Sequence, residues 1–381
     1  MPTKVRRRFK ARKALVATTA IAAAGATAVV SVQLASAEEP TEATTSDAAQ
    51  TCVMETLPIP EGLLATGVSG MSDDGSVIAY YALPLDQSWP DGLGAFPRLY
   101  SNGEVTEVPM PGDHPRIRDV NSSGNGTGYS TGDNGRDVPY SWSGGALNEL
   151  PLPGEDGGRA EGINEGGDIV GSGQTFEGGV PLLWPADGSD PVALAMPDGA
   201  LSGVANDIGD DGTIIGAVYD ENGTATAYTW DADGTGSPLP APDGAQPGEG
   251  FSIATDLNGD WASGQFFVPG SGSQPQGVRW NLAEGTAELT ALERQVAVSS
   301  DGTVAGYVPG TPATAAYQAG ETVVKLPGAV EPDVEGHLGD YAQEINADGT
   351  LIAGDVYIGE DDAGQIIDNA VTWTCGESAP E

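Results

Sequence analysis

The chain has few of the residues from which reactive centres are usually built. Its 381 residues include two cysteines, Cys52 and Cys375, and two histidines, His114 and His337. A zinc site needs three or four nitrogen, sulfur or oxygen ligands. Two histidines in different parts of the chain give no basis for one. There is no G-x-S-x-G elbow, no H-E-x-x-H pair and no phosphate-cradling glycine loop, so the common hydrolase, metalloprotease and nucleotide-binding signatures are missing. Positive charge is also scarce. Seven of the 15 Lys/Arg residues lie in Met1–Lys13 (Lys4, Arg6, Arg7, Arg8, Lys10, Arg12, Lys13).

That basic head is followed by an Ala-rich apolar run from Ala14 and the small-residue pattern Leu34-Ala35-Ser36-Ala37. The order describes a secretory signal peptide cleaved after Ala37, and Arg6-Arg7-Arg8-Phe9-Lys10 resembles a twin-arginine export signal. An uncleaved anchor is the competing reading, because about 20 apolar residues can span a bilayer. Residues 1–37 are therefore expected to be a leader and 38–50 a disordered linker. The protein is expected to be extracellular, with no stable membrane insertion once the leader is cleaved.

Without residues 1–37, eight Lys/Arg face 55 Asp/Glu, a net charge near −47. Such a surface repels nucleic acid and anionic membranes, and acidity on this scale serves solubility. The chain is not composed as a disordered one: 39% of it is apolar, and seven tryptophans need a core. With 56 glycines and 28 prolines, it favours many short strands and turns over helices.

The stretch AEGINEGGDIVGSG from Ala160 returns from Ala342 as AQEINADGTLIAGD. Comparable phrases place turn glycines at Gly75, Gly124, Gly167, Gly212, Gly259, Gly302 and Gly349, spaced 49, 43, 45, 47, 43 and 47 residues apart. After each phrase comes a short strand ending in Tyr100, Trp142, Trp184, Trp230, Trp280, Tyr317 or Trp373. A proline-rich fourth segment then follows in six of the units. Four short strands in a unit of about 45 residues make a propeller blade. The fold is thus expected to be all-β, a seven-bladed β-propeller over residues 51–376 with a tail at 377–381. The tryptophans fill the space between neighbouring blades; sugar stacking is the other role open to them.

The seventh unit lacks its fourth strand, and Thr51-Cys52-Val53-Met54-Glu55-Thr56 before the first phrase has the missing pattern. An N-terminal strand that completes the last blade leaves no edge unpaired. That register puts Cys52 beside Cys375, and a disulfide is expected in a secreted chain. Two free thiols are the alternative.

The phrase A-x-x-I-N-x-x-G-x-I-V-G followed by a strand ending in Trp resembles the extracellular HAF-type repeats of bacteria. Ala160–Gly171 and Ala342–Gly354 carry the likeness most clearly. The His-Ala-Phe triplet of those repeats is replaced here by PYSW, PLLW and AYTW. The resemblance implies extracellular repeats but no chemistry.

Function is expected in the variable loops between the phrases. Trp89 lies on a Pro/Gly-rich loop, as a ligand platform or a loop anchor. Asp113, His114, Arg136, His337 and Asp361 are the polar candidates for binding. Asp220, Asn222, Asp231 and Asp233 stand beside glycines as calcium ligands do, though Asx-Gly turns account for the same pattern. Calcium is the one cofactor left open. The leading expectation is a secreted, monomeric, non-catalytic scaffold that binds an extracellular protein or polysaccharide. The alternative is an extracellular propeller enzyme, a lyase or glycoside hydrolase using loop carboxylates, with or without calcium. An enzyme requires acids converging with Arg or His at one channel mouth and shifted acidities; a scaffold does not.

Overall fold

The computed structural model describes residues 51–59, 61, 63–84, 96–154, 156–175, 178–242, 245, 250–267, 275–330, 339–360, 364 and 366–376. The expected leader, linker and tail lie outside the described residues. The described chain is built from antiparallel strands, and none of its helices is long and apolar enough to cross a membrane.

The chain enters with β1 (Thr51–Thr56). Four groups of four strands follow, each hydrogen-bonded in chain order. The first is β2 (Leu63–Met71), β3 (Val77–Pro84), β4 (Phe96–Ser101) and β5 (Glu104–Glu107). The second is β6 (Asp113–Val120), β7 (Gly126–Thr131), β8 (Asp137–Ser143) and β9 (Ala146–Glu149). Next come β10 (Gly157–Ile163), β11 (Ile169–Thr175), β12 (Gly178–Trp184) and β13 (Val192–Ala193). The fourth is β14 (Ser202–Ile208), β15 (Ile214–Tyr219), β16 (Ala225–Trp230) and β17 (Gly236–Pro238).

A seven-stranded sheet then runs through β18 (Phe251–Asn258), β19 (Trp261–Phe267), β20 (Gln276–Asn281), β21 (Thr286–Val298), β22 (Val304–Val308), β23 (Thr314–Ala319) and β24 (Thr322–Lys325). The 13-residue β21 is shared, pairing with β20 near its start and with β22 near its end. The last sheet is β25 (Tyr341–Ile345), β26 (Leu351–Glu360) and β27 (Ile366–Gly376), with β1 bonded to the outer side of β27. The first strands of the repeat units touch one another in a cycle: β2, β6, β10, β14, β18, β21, β25 and back to β2.

Local chemistry explains the repeat. Each of the seven phrase glycines has positive φ, from 56° at Gly259 to 88° at Gly167, a backbone region in which a side chain is disfavoured. In the Ala160 phrase, Gly167 N–H donates to the Asn164 carbonyl and Asn164 N–H to Asp168 O, which closes the hairpin. The Asn164 side chain then caps the turn by accepting from Asp168 N–H at 2.9 Å. The apolar residues on either side, Ile163, Ile169 and Val170, are buried between sheets.

The aromatic strand supplies the glue between units. Trp230, Trp280 and Trp373 are fully buried. Their indole N–H groups donate to Ala195 O (2.6 Å), Pro240 O (2.8 Å) and Pro327 O (2.8 Å) in the preceding unit's fourth segment, as Trp184 does to Pro151 O (2.7 Å). The large rings therefore bury apolar area without leaving a polar atom unpaired. This matches the structural role expected for the set. Cys52 pairs with Cys375 across β1 and β27, and the two form a disulfide 323 residues apart in sequence.

Candidate active site

Every first strand carries a register shift near its end: between Val68 and Gly70, Ile117 and Asp119, Ala160 and Gly162, Ala205 and Asp207, Ala254 and Asp256, Glu293 and Ala297, and Ala342 and Glu344. A bulge leaves one extra residue unpaired and turns it out of the ladder. These extra residues, among them Arg118, Glu161, Asn206, Thr255 and Gln343, line a cavity of about 830 Å³ enclosed by the first strands. The seven units thus repeat a backbone device and vary the side chain that it presents.

The residue after the bulge is acidic in four units: Asp119, Asp207, Asp256 and Glu344. Three of these tie adjacent first strands together. Asp119 accepts the N–H of Val120 and, on the next unit, that of Ile163, both at 2.8 Å. Asp207 does the same with Ile208 (2.7 Å) and Leu257 (2.8 Å), and Asp256 accepts from Val298 at 2.6 Å. Asp355 on β26 accepts from Val68 at 2.7 Å, between the last unit and the first. The fourth acid differs: among the described residues Glu344 makes no hydrogen bond or ion pair.

The half-buried Asp119, Asp207, Asp256 and Glu344 line the cavity. Burial pushes Asp119, Asp256 and Asp355 up to about 7, against the N–H bonds that favour their charged forms. Burial, then Asp119 and Asp256, holds Asp207 well above the usual carboxylate range. Burial, then Asp256 and Asp119, does so for Glu344, with Arg118 opposing. At the turn end of the cavity, burial followed by Asp210 and Glu165 raises Asp73 to about 6.

Hydrogen bonds between turns of different units frame that end. Ser122 N–H and its hydroxyl donate to Glu165, Glu165 N–H donates to Asp210 (2.9 Å), and Asn258 donates to Asp73 (3.0 Å). Arg118 and Arg159 are the two cations on the cavity wall. Arg118 pairs with Glu161 at 2.8 Å and also attracts Glu344. Arg159 pairs with Asp137 at 2.6 Å. Of the two glutamates that act on Arg118, Glu161 is ion-paired with it and Glu344 is not.

The loop candidates are placed elsewhere. Asp113 and His114 open β6 as exposed residues, His114 with φ 50°, and Arg136 pairs with Asp156 at 3.1 Å. None of the three lines the cavity. Trp89, His337 and Asp361 lie outside the described residues. The calcium candidates are engaged in turns: Asp220 accepts N–H groups from Asn222 (2.8 Å) and Thr224 (2.9 Å), and Asp233 accepts from Thr235 (2.9 Å). Asp231 closes its turn through backbone bonds with Gly234 and Thr235. Among the described residues no group of three His, Cys, Asp or Glu side chains is placed to hold a metal.

Chemistry was expected between the phrases, and the convergent acids lie inside them. A signal was available. The place five before the turn glycine holds Asp119, Asp207 and Glu344, where the same hairpin in other units manages with Gly70, Gly162 or Ala297. Asp256 stands at that structural place too, but its turn is shorter, so counting back from Gly259 misses it.

No family model matches the chain, and no curated protein matches it. Solved structures do. The β-propeller domain of the Trilobed protease from Pyrococcus furiosus, described as having an open velcro topology, aligns with TM-score 0.51 at 9% identity, over 83% of this chain and all of that one. Acylaminoacyl peptidase from Pyrococcus horikoshii aligns with TM-score 0.52 at 10% identity, over 80% of this chain. This chain spans only half the length of that peptidase. Oligogalacturonate lyase from Vibrio parahaemolyticus aligns with TM-score 0.49 at 10% identity, over 87% of this chain and 98% of the lyase. The likeness shows a β-propeller fold.

The expectation of a non-catalytic scaffold is corrected here. The two neighbours that align with a TM-score above 0.5 are a protease's propeller domain and a peptidase. The cavity, moreover, holds the acids, arginine and shifted acidities that the enzyme alternative requires.

Proposed function

We propose that the chain is a secreted, seven-bladed propeller enzyme that cleaves glycosidic bonds in its central channel. Seven blades are supported by the cycle of first strands, with β21 serving two of them. Completion of the last blade by β1 is supported by the β1–β27 pairing and the disulfide. Export through the leader at 1–37, the linker at 38–50 and a monomeric state belong to the same reading. So does the likeness to HAF-type repeats.

The observation that carries the activity is the asymmetry between Glu161, ion-paired with Arg118, and Glu344, which has no ion pair. The Glu344 carboxyl has no hydrogen-bonding partner among the described residues, and burial, Asp256 and Asp119 push its pKa well up, with Arg118 opposing. The shift favours its protonated form, which can give its proton to the glycosidic oxygen as the C–O bond breaks. Glu161 is ion-paired with Arg118. It accepts the proton of an attacking water in hydrolysis, or a proton from carbon in elimination. The acids act from the channel strands rather than from the loops.

The test is incubation with neutral, amino-sugar and acidic oligosaccharides, with products read by mass spectrometry. Cleavage of at least one class by the wild type, lost in Glu344→Gln and Glu161→Gln proteins that still melt cooperatively, supports the reading. Cleavage of none, or full activity in both variants, overturns it.

A further inference from the structure

Cations are rare in this protein, yet four of the eight beyond residue 37 fall between Arg116 and Arg159. Two of them, Arg116 on β6 and Arg159 on β10, occupy the same place in the repeat, two residues before the bulge residue. In the following units that place holds Val204 on β14 and Ile253 on β18, which line the cavity together with Arg159. The fold therefore accepts an aliphatic residue there and does not itself call for arginine.

Both guanidinium groups are laid over aromatic rings. Arg159 sits 4.5 Å from the Tyr129 ring centroid and Arg116 5.7 Å from that of Tyr81. Tyr81 reaches this position only because Gly67 has no side chain: a Cβ there would collide with the Tyr81 hydroxyl. Asp137 fixes Arg159 from one side. Arg116 is exposed and has no carboxylate partner among the described residues. A guanidinium stacked on an aromatic face keeps its N–H edge free, and that fork matches a carboxylate in two parallel bonds. The neighbouring Val204 and Ile253 offer an apolar surface, as the C–H face of a sugar ring requires.

From this arrangement we infer that Arg116 and Arg159, at equivalent places on the contacting strands β6 and β10, bind the carboxylate of a uronic acid unit whose ring lies toward Val204 and Ile253 on the cavity wall. The inference rests on the carbohydrate-cleaving reading above and specifies its substrate class. The net charge near −47 selects for short oligomers over long polyanions. It also has a sign: added salt screens the repulsion over about 8–10 Å, so uronate association should speed up as salt rises.

The experiment is calorimetric titration of the whole secreted chain with trigalacturonate, its methyl ester and a neutral trisaccharide. Arg116→Gln is the variant, since Arg116 supports no ion pair whose loss would weaken the fold. The expected result is binding of trigalacturonate about tenfold or more tighter than its ester. Arg116→Gln should erase that preference and leave the melting temperature unchanged. Equal binding of acid and ester, or an undiminished preference in Arg116→Gln, overturns the inference. If neutral glycans are cleaved without any uronate preference, this inference fails and the catalytic reading stands. Uronate binding that depends on Arg116, with no glycan of any class cleaved, supports the subsite and overturns the catalytic reading.

Discussion

The Asp207 carboxylate on β14 accepts the backbone N–H of Leu257 on β18 at 2.8 Å, and so joins two neighbouring blades through a group that also faces the channel. Its other oxygen holds Ile208 N–H at 2.7 Å. Truncation by Asp207→Ala leaves two enclosed donors without a protein acceptor, at a cost of about 1–3 kcal/mol. The cost depends on pH. When ionised, Asp207 is repelled by Asp119 and Asp256, so its removal also relieves strain. Urea melts at pH 5 and pH 8 should show the larger loss at pH 5. Equal losses at the two values would argue against the crowding described here.

Whole-protein stability should follow the same chemistry. Asp119, Asp256 and Asp355 are raised to about 7 and Asp73 to about 6 from 3.8, and Asp207 and Glu344 shift in the same direction. The groups facing them are mainly further acids, with Arg118 the one cation that opposes the shift of Glu344. A raised folded-state value means that the folded protein binds more protons than the unfolded chain between about pH 4 and 7. The contribution is complete below pH 4 and is lost as pH rises through 6 to 7. The melting temperature should therefore fall from pH 5 to pH 8, and Asp119→Asn with Asp256→Asn should flatten that slope. A flat or rising wild-type profile would refute the shifts.

The fold was more legible in the sequence than the site, for a physical reason. Gly167 and its six counterparts mark a left-handed turn that few other residues tolerate, and Trp184, Trp230, Trp280 and Trp373 mark a gap of constant size. Such demands recur in every blade, so they surface as periodicity. Cys52 and Cys375 could be paired because one strand was missing at one end of the chain and present at the other. The site residues follow the opposite logic. Arg118, Glu161 and Glu344 break the repeat at places where the backbone accepts many side chains, and inside a phrase they look like ordinary surface charges. Only the bulge, which is invisible in composition, turns them inward. The loops drew attention through their variability, and Asp113, His114 and Arg136 proved to lie outside the cavity.

The closing disulfide should matter because of the length it spans. With Cys52 and Cys375 separated by 323 positions in sequence, the chain-entropy account gives about 5–6 kcal/mol as an upper figure. Cys375 packs with Trp373, Val371 and Ile352 in the core of the last sheet, so the reduced chain keeps its apolar contacts. A Cys52→Ser/Cys375→Ser double variant should fold with the same far-ultraviolet dichroism and melt at clearly lower temperature and urea concentration. An unchanged midpoint would mean that the β1–β27 ladder closes the structure without covalent help.

On the proposed mechanism, the rate profile should carry the mark of Glu344. A general acid must be protonated to act, so turnover falls as pH rises through its value, which burial, Asp256 and Asp119 place well above the ordinary glutamate range. Arg118 opposes that shift, and an Arg118→Met variant should move the basic limb to still higher pH if the chain folds. Glu344→Gln removes the proton donor and should cost about 10²–10⁴ in kcat. What remains should lose the basic limb altogether, because no group at that place titrates. Restored activity on substrates with a good leaving group would follow, since these need no protonation to depart. A Glu344→Gln protein that is merely unstable would instead lose activity on every substrate alike and keep the wild-type pH profile in its residual rate. That outcome would return Glu344 to the class of its neighbours Asp119 and Asp256, acids that hold blades together and do no chemistry.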